Sequence, residues 1–509
     1  MGAPAPVDAY EEGLRLSRQN RHAEAIDRFE RALQSRPDDP RVLFALGNTA
    51  HALGMVGPAQ EFFNRVLALE PGRIEALVNL ANLLRSEGHF AAAQALLAPT
   101  LAHNPETPEL WLTLGSIYRE IGDCDRAEEH YRMALAKRPD YAPALGNLAD
   151  LLADRSQIDE ALELYGRAIA REPKNAQAKL NRSILHLLRG NLKEGWRDYA
   201  ARLNIPGKAP VCDHGLPLWR GAHLKRTRLL VTAEQGVGDQ LMFASFIADL
   251  ATRAKDDGGS LILECEPRLV SLFARSFPDV TVKAGQMRTK NGVATSQYGW
   301  LKAAGGANAA IELGSLPRIL RHRLAQFPNP NAYLIPDPVE KSHWRETISS
   351  QAEGPYVGIC WRSGKMGGAR NVQFAPLEAW GEFLRDLPGS IVSAQYDAAP
   401  EEIAALEAMS GRKIIVPQAI DQKTELDRAC AMLSTLDSVV TGPTAVAWLA
   451  AGAGVSTLKI LYDTSWTNFG ESFEPFAPSC VCAMPRKRGD WRDAFAQASN
   501  AIRALSAAH

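Results

Sequence analysis

Five prolines recur at a constant interval of 34 residues along the first part of the chain. They are Pro37, Pro71, Pro105, Pro139 and Pro173. Three further sets keep the same phase: small residues at Gly13, Gly47, Ala81, Gly115 and Ala149; alanines at Ala25, Ala59, Ala93, Ala127 and Ala161; and large residues at Phe29, Phe63, Leu97, Tyr131 and Tyr165. A unit this short buries its apolar face only against its neighbours, so the period predicts a solenoid of stacked units.

Each unit has the pattern of two packed helices followed by a proline. A small side chain in the first helix lets the second approach, and a large residue fills the groove beside it. Proline ends the second helix because it has no N–H to donate. The fourth unit, with Trp111, Gly115, Tyr118, Ala127 and Pro139, resembles the tetratricopeptide repeat at every characteristic position. We therefore expect an α-solenoid over 6–202, made of five repeats and a degenerate sixth unit that caps the next domain.

Three asparagines share one phase on the first helix of their units: Asn79, Asn147 and Asn181. In tetratricopeptide repeats this helix lines the concave face. An amide offers both a donor and an acceptor, so the row is a candidate for binding the backbone of an extended peptide. Solvated asparagines on a helix surface are the alternative.

Composition excludes several classes of protein. Apolar residues make up 46% and charged residues 23%, as in folded soluble domains, and the net charge of -1 provides no basic field for nucleic acid. The sequence contains no apolar run of membrane-spanning length and no secretion signal, so we expect a cytoplasmic protein. Seven scattered cysteines without a CxxC motif favour neither a disulfide framework nor a zinc site.

After a predicted linker over 203–227, strands alternate with helices. This alternation predicts two doubly wound, Rossmann-like α/β domains, over 228–336 and 337–509, with a cleft between them. The sequence alone does not identify what the cleft binds.

Four stretches in this half resemble a known family. They are Ala-Glu-Gln-Gly-Val-Gly-Asp-Gln at 233–240, Val-Gly-Ile-Cys-Trp-Arg at 357–362, Ser-Ala-Gln-Tyr-Asp at 393–397, and Thr-Gly-Pro-Thr-Ala-Val-Ala-Trp-Leu-Ala-Ala at 441–451. They are similar to bacterial tetratricopeptide glycosyltransferases, which share the GT-B fold with ADP-heptose lipopolysaccharide heptosyltransferases. Within that family the chain most resembles the flagellin-glycosylating subgroup. The resemblance implies a metal-independent, inverting transferase, flagellin bound by the repeats, and a nonulosonic acid such as pseudaminic acid as the sugar.

The resemblance implies that Asp239 is the catalytic base. It follows the glycines Gly236 and Gly238 on a strand-to-helix turn, and transfer to a hydroxyl requires a group that takes the acceptor proton. An ordinary N-cap aspartate on a helix starting at Gln240 is the alternative.

The leaving phosphate requires a cradle of cations and N–H groups, which we expect from the second α/β domain. The glycine-rich loop after the strand at 356–361 supplies Arg362, Ser363, Lys365 and Arg370. Gly442 and Thr444 precede a helix whose N-terminus points to the same place, and Gln395 and Tyr396 end a neighbouring strand where a base or ribose would lie. A solvated basic loop is the alternative for the arginines and lysine. No metal site is evident.

The sequence departs from the heptosyltransferases at Pro443 and Trp448, where that family has an aspartate and a histidine. The loss of a carboxylate makes ADP-heptose doubtful and favours a donor whose sugar is itself an anion, as in a CMP-linked nonulosonic acid. A lipopolysaccharide or glycan transferase, and a non-catalytic scaffold with a degenerate transferase half, remain alternatives.

Overall fold

The structure is a computed structural model that describes residues 6–290, 292–327, 332–364 and 367–507. It divides into two compact units, residues 1–178 and 179–509. The described helices include none that is both long enough and apolar enough to cross a membrane.

The first unit is built from paired antiparallel helices, as the 34-residue period predicts. Its helices are α1 Pro6–Arg18, α2 His22–Ser35, α3 Pro40–Ala52, α4 Val56–Leu69, α5 Ile74–Ser86, α6 Phe90–His103, α7 Pro108–Ile121, α8 Cys124–Lys137, α9 Ala142–Asp154 and α10 Ile158–Arg171. The large residues of the period, such as Phe29, Phe63 and Tyr131, are fully buried between the helices of a pair. The repeat interpretation is confirmed at this level.

Close packing explains why the first helix of a pair needs a small residue. A Cβ atom added at Gly115 would lie 2.7 Å from the ring of Tyr131, and one added at Gly47 would lie 2.6 Å from the ring of Phe63. Contacts this short do not occur between real side chains, so the ring would have to move within a filled core.

We expect Gly115→Val to lower the free energy of unfolding of the repeats by about 2 kcal/mol, because it overpacks the α7–α8 pair. Gly146→Val is the matched control: Gly146 also lies inside a helix, α9, but no heavy atom would lie within 4 Å of its Cβ. There the stability should change by less than about 0.5 kcal/mol. Urea unfolding followed by helical circular dichroism measures both, and equal losses would contradict the packing argument.

The sixth helix pair lies at the boundary of the units. Helices α11 Ala176–Leu188 and α12 Leu192–Tyr199 are present, but the division after Ala178 places nearly all of both in the second unit rather than in a 6–202 solenoid. Trp196 and Tyr199 of α12 are buried among aromatic residues of the α/β region, including Phe243, Trp466 and Phe469. The expectation that they pack against the next domain is confirmed.

The second unit contains two main sheets, as the alternation of strands and helices predicts. Its strands are β1 Val211–Cys212, β2 Arg228–Thr232, β3 Ser260–Cys265, β4 Thr281–Ala284, β5 Met287–Lys290, β6 Val293–Ser296, β7 Ala309–Glu312, β8 Tyr356–Cys360, β9 Ser390–Ser393, β10 Ile414–Ile415, β11 Ser438–Thr441, β12 Ser456–Ile460, β13 Phe473–Glu474 and β14 Ala477–Ala483. Its α-helices after α12 are α13 Val237–Phe243, α14 Ile247–Asp256, α15 Val270–Ser276, α16 Pro317–Leu320, α17 Pro338–Ser349, α18 Leu377–Arg385, α19 Pro400–Ser410, α20 Leu426–Leu433, α21 Ala445–Gly452 and α22 Trp491–Ala507.

The first sheet has four parallel strands in the order β4-β3-β2-β7. The second has seven in the order β10-β9-β8-β11-β12-β14-β13, all parallel except the β13–β14 pair. In both sheets, a strand near the centre is followed by a loop at its carboxyl end. This strand is β2 in the first sheet and β8 in the second. Ligands of open parallel sheets bind at this edge.

Some strands were not predicted. They are β5 and β6, which form a small sheet with β1, together with β7, β13 and β14. The predicted linker is also more ordered than expected, because the Trp219 N–H donates to the Ala310 carbonyl of β7 at 2.8 Å and Trp219 is buried. Leu218, the residue before it, is exposed.

Candidate functional site

A cavity of about 530 Å³ lies where the carboxyl ends of the two sheets face each other. Its walls come from segments that follow β2, β3, β8, β9, β10 and β11. The predicted site residues that line it are Gly236, Gly238, Asp239, Ser363, Tyr396 and Thr444. The structure thus brings residues from three of the four stretches, at 233–240, 393–397 and 441–451, to one cleft.

Asp239 lies in the first turn of α13, not at its N-cap. The helix starts at Val237, and Gly236 is the N-cap residue, with extended backbone at φ -66° and ψ 169°. The alternative of a capping aspartate on a helix that starts at Gln240 is therefore wrong. Asp239 faces the cavity from the first sheet's side.

Gly238 in this turn faces the other wall of the cleft. A Cβ atom at Gly238 would lie 3.8 Å from the Ala445 Cα and 3.9 Å from the Trp448 Cδ1 of α21. The gap between Gly238 and helix α21 across the cleft is therefore about the size of one side-chain carbon.

The other polar residues of the first motif hold the turn in place. Glu234 is buried and accepts hydrogen bonds from Arg202 at 2.6 Å and from the Gly314 N–H at 3.2 Å. The Gln240 amide donates to the Gln235 carbonyl at 2.9 Å, and its oxygen accepts from the Glu266 N–H at 2.8 Å. Within the motif, Asp239 is the titratable side chain that reaches the cleft.

The opposite wall is the N-terminus of α21. Thr444 is its N-cap residue, and the Thr444 hydroxyl oxygen accepts a hydrogen bond from the Val446 N–H at 3.2 Å. Gly442 has a packing role instead, since a Cβ there would lie 2.9 Å from the Phe374 ring. Thr444 thus fixes a helix end, with its partial positive charge, beside the cavity.

Arg362 is not a free phosphate ligand. Its guanidinium donates to both carboxylate oxygens of Glu402, at 2.6 and 2.7 Å, and to the side chain and carbonyl of Asp397, each at 2.9 Å. Two carboxylates therefore neutralise it and raise its pKa. Lys365 lies outside the described residues, as does the side chain of Arg370, so their predicted roles stay predictions.

Gln395 is likewise structural. It is buried, its oxygen accepts from the N–H groups of Trp361 and Arg362 at 3.0 Å, and its amide donates to Asp397 at 2.9 Å. The prediction that it contacts a base or ribose is wrong. Tyr396, the next residue, does line the cavity, and its hydroxyl accepts a hydrogen bond from the Gly364 N–H.

Two cationic residues of the cleft were missed. Arg268 follows β3, donates to Glu266 at 2.8 Å and donates to the Lys423 carbonyl at 2.6 Å, which joins the two walls. Lys423 follows β10, is exposed, and its ammonium has no carboxylate partner among the described residues. Both residues follow the carboxyl end of a parallel strand. This position could have identified them from the sequence, because ligands of open parallel sheets bind at that edge.

Trp448 contributes an aromatic wall. The Lys459 ammonium lies 4.8 Å from the centroid of its ring, and Lys459 in turn forms a buried ion pair with Glu474. The described residues contain no group of three His, Cys, Asp or Glu side chains suited to hold a metal ion.

Asparagines of the predicted row form hydrogen bonds with other side chains of the protein. The Asn79 amide donates to the Asn48 oxygen at 2.8 Å, and the Asn147 amide donates to the Ser116 hydroxyl at 3.2 Å. Asn181 lies in α11, in the second unit. Two of the three amides thus connect neighbouring repeats, although Asn147 also lines a groove of about 270 Å³ in the first unit.

Comparison with known proteins supports the repeats. Models of the tetratricopeptide repeat match residues 78–142, and residues 16–78 and 118–180. The protein FlbA of Caulobacter vibrioides is 32% identical over 329 residues, which cover 64% of this chain and 55% of FlbA, so the match spans about half of that relative.

Solved structures align with part of the chain only. A thermophilic TPR protein of Thermus thermophilus is 28% identical, with a TM-score of 0.33, and covers 36% of this chain and 100% of its own. PilW, a type IV pilus biogenesis factor, is 20% identical, with a TM-score of 0.35, and covers 41% of this chain and 97% of its own. The family models alone thus assign tetratricopeptide repeats to residues 16–180, which precede a unit with two mainly parallel sheets.

Proposed function

We propose that this protein is a glycosyltransferase of the GT-B type, which transfers a sugar from a nucleotide donor to Ser or Thr hydroxyls of a polypeptide bound by the repeats. The observation that carries the proposal is the position of Asp239. This carboxylate lines a cleft whose opposite wall is the N-terminus of α21, so a proton acceptor and an anion-stabilising element face the same space.

The chemistry follows from these two walls. Asp239 takes the proton of the acceptor hydroxyl as its oxygen attacks the anomeric carbon. The bond from that carbon to the phosphate oxygen breaks, and the leaving phosphate takes the electron pair. Its charge is stabilised by the N–H groups at the start of α21 and by Lys423, in place of the predicted Arg362. Tyr396 offers a face on which a base can stack.

For the donor we propose a CMP-linked nonulosonic acid. Pro443 and Trp448 place no carboxylate on the α21 wall, and Lys423 adds a positive charge, so an anionic sugar meets no repulsion there. Purified protein should cleave the CMP sugar and ignore ADP-heptose and UDP-sugars. The opposite preference would contradict this choice of donor.

For the acceptor we propose flagellin. The repeats provide a protein-binding surface, and the similarity to FlbA fits a role associated with the flagellum. The test is the intact mass of flagellin from cells with and without this protein. We expect mass increments of whole sugar residues that disappear without it, whereas an unchanged mass would contradict flagellin as the acceptor.

Lys423→Ala should raise the KM for the nucleotide sugar about fivefold, because it removes an exposed cation from the phosphate side of the cleft. The effect should shrink as salt is added, since salt screens an exposed charge. Lys413→Ala is the matched control, because Lys413 is also exposed but pairs with Glu407 away from the cavity. Equal KM values for both variants would exclude Lys423 from the donor site.

Arg362 is paired with Glu402 and Asp397 and so is not available to a phosphate. This pairing favours a second candidate function, a tetratricopeptide scaffold whose cleft no longer binds a nucleotide sugar. Calorimetry with CMP separates the two. Binding of CMP by the intact protein that weakens about fivefold in Lys423→Ala supports the transferase, and the absence of binding by the intact protein supports the scaffold.

A further inference from the structure

A second cavity, of about 750 Å³, adjoins the cleft on the side of the first sheet. The described residues that line it all lie between 207 and 296, so the second sheet contributes none. It shares Gly236, Val237 and Glu266 with the cleft, and the two spaces therefore meet at the turn that carries Asp239.

Glu264 is the group in this cavity that lacks a charge partner. It lies near the end of β3 and is 1% exposed. Its Oε2 accepts from the Tyr298 hydroxyl at 3.3 Å and from the Ala233 N–H at 3.4 Å, while its Oε1 accepts no hydrogen bond from the described residues. A buried carboxyl oxygen on the wall of a cavity leaves a place for a donor from a ligand.

Neighbouring charges do not compensate Glu264. Glu234 is occupied by Arg202, and Glu266 by Arg268. The cation on the cavity wall is Lys208, an exposed residue, and the other titratable groups near Glu264 are Tyr298, Cys212 and Cys265. Burial accordingly raises the pKa of the Glu264 carboxyl to about 7.

The mouth of this cavity is apolar and exposed. Met287 and Val293 of the β5–β6 hairpin line it and are 68% and 46% exposed, and Val237, Pro210 and Ala294 continue the apolar wall. A ligand that fits both features has an apolar surface and one hydrogen-bond donor. Phosphates are disfavoured, because the buried group is an acid and the cation is at the rim.

We propose that this cavity binds the segment of the acceptor polypeptide next to the glycosylated hydroxyl, with a side-chain O–H or N–H donating to Glu264 and apolar side chains packing on Met287 and Val293. This inference rests on the proposed function. It adds that acceptor selection occurs beside the Asp239 turn as well as on the repeats.

The test uses full-length protein with flagellin and the CMP-nonulosonic acid. In Glu264→Gln, the KM for flagellin should rise about tenfold, since a hydrogen bond to an ionised group is lost. The value of kcat should stay within about twofold, and CMP binding by calorimetry should not change.

Val293→Glu, which places a carboxylate on the exposed hairpin, should raise the same KM without touching the buried core. Glu382→Gln, at an exposed position of α18, is the control.

A pH series distinguishes this role from a structural one. In the wild type the KM for flagellin should fall as pH rises through about 7, because the ionised carboxylate is the better acceptor. In Glu264→Gln the KM should not vary over that range. If the wild type transfers sugar and both Glu264→Gln and Val293→Glu keep its KM, the acceptor cavity is refuted. If the wild type transfers no sugar, the proposed function itself fails.

Discussion

Asp239→Asn should reduce the rate of sugar transfer about 10³-fold, the largest effect on activity that we expect. The substitution keeps the size of the side chain in the first turn of α13 but removes the carboxylate that we propose takes the acceptor proton. Calorimetric binding of CMP should be unchanged, because the α21 wall and Lys423 remain. The measurement is single-turnover transfer from the CMP sugar to flagellin, which separates chemistry from product release.

An acidic residue in a first helical turn also stabilises the helix by about 0.3–1 kcal/mol, so a matched control is needed. Glu378→Gln removes an exposed carboxylate from the first turn of α18, away from the cleft. It should lower the melting temperature as much as Asp239→Asn does and leave transfer intact. A transfer rate in Asp239→Asn within tenfold of the wild type would eliminate Asp239 as the base.

Arg202→Met should lower the free energy of unfolding of the second unit by about 3–5 kcal/mol. The side chains of Arg202 and Glu234 are 5% and 1% exposed, and Arg202 also donates to the Ser315 hydroxyl at 3.0 Å. Removing the guanidinium leaves the Glu234 carboxylate buried without a cation. Denaturant unfolding, followed by tryptophan fluorescence, measures the loss.

The pH dependence of that loss has a definite sign. Without Arg202, burial raises the pKa of Glu234, so the carboxyl is neutralised as pH falls, and the loss should be smaller at pH 5 than at pH 8. The double variant Arg202→Met, Glu234→Gln removes both charges and should recover most of the stability. If Arg202→Met alone is as stable as the wild type at pH 8, the ion pair of Arg202 and Glu234 does not stabilise the turn that carries Asp239.

The repeats could be predicted because their signal is redundant. A proline such as Pro105, a glycine such as Gly115 and a ring such as Tyr131 recur with one period, and each has a local steric reason. The Asp239 turn was predictable for a similar reason, since its glycines adjoin a strand of continuous apolar residues. The sequence signal for the repeats and for this turn comes from residues that are close to each other in the chain.

Side-chain partners from distant loops were not predictable. Arg362 has the residue type and the loop position of a phosphate ligand, but Asp397 and Glu402 pair with it from another strand end and helix. Gln395 was misassigned for the same reason. Short strands such as β7, Ala-Ala-Ile-Glu, were missed because two of their four residues are alanines, which have little preference for strands.

The apolar cores of the two units differ in how they are connected. In helices α1 to α7 the buried residues form three clusters of three consecutive helices each, from Ala9 to Leu46, from Leu43 to Leu83 and from Leu77 to Ile117, whereas the largest cluster of the second unit contains residues of both main sheets, beside two smaller clusters. We therefore expect loss of order at α1 and α2 to disturb mainly the cluster that they share with α3, and the two main sheets, joined by the largest cluster, to lose order together. Under mechanical load the repeat unit should thus unfold in steps, helix pair by helix pair, and the two main sheets of the α/β unit should not.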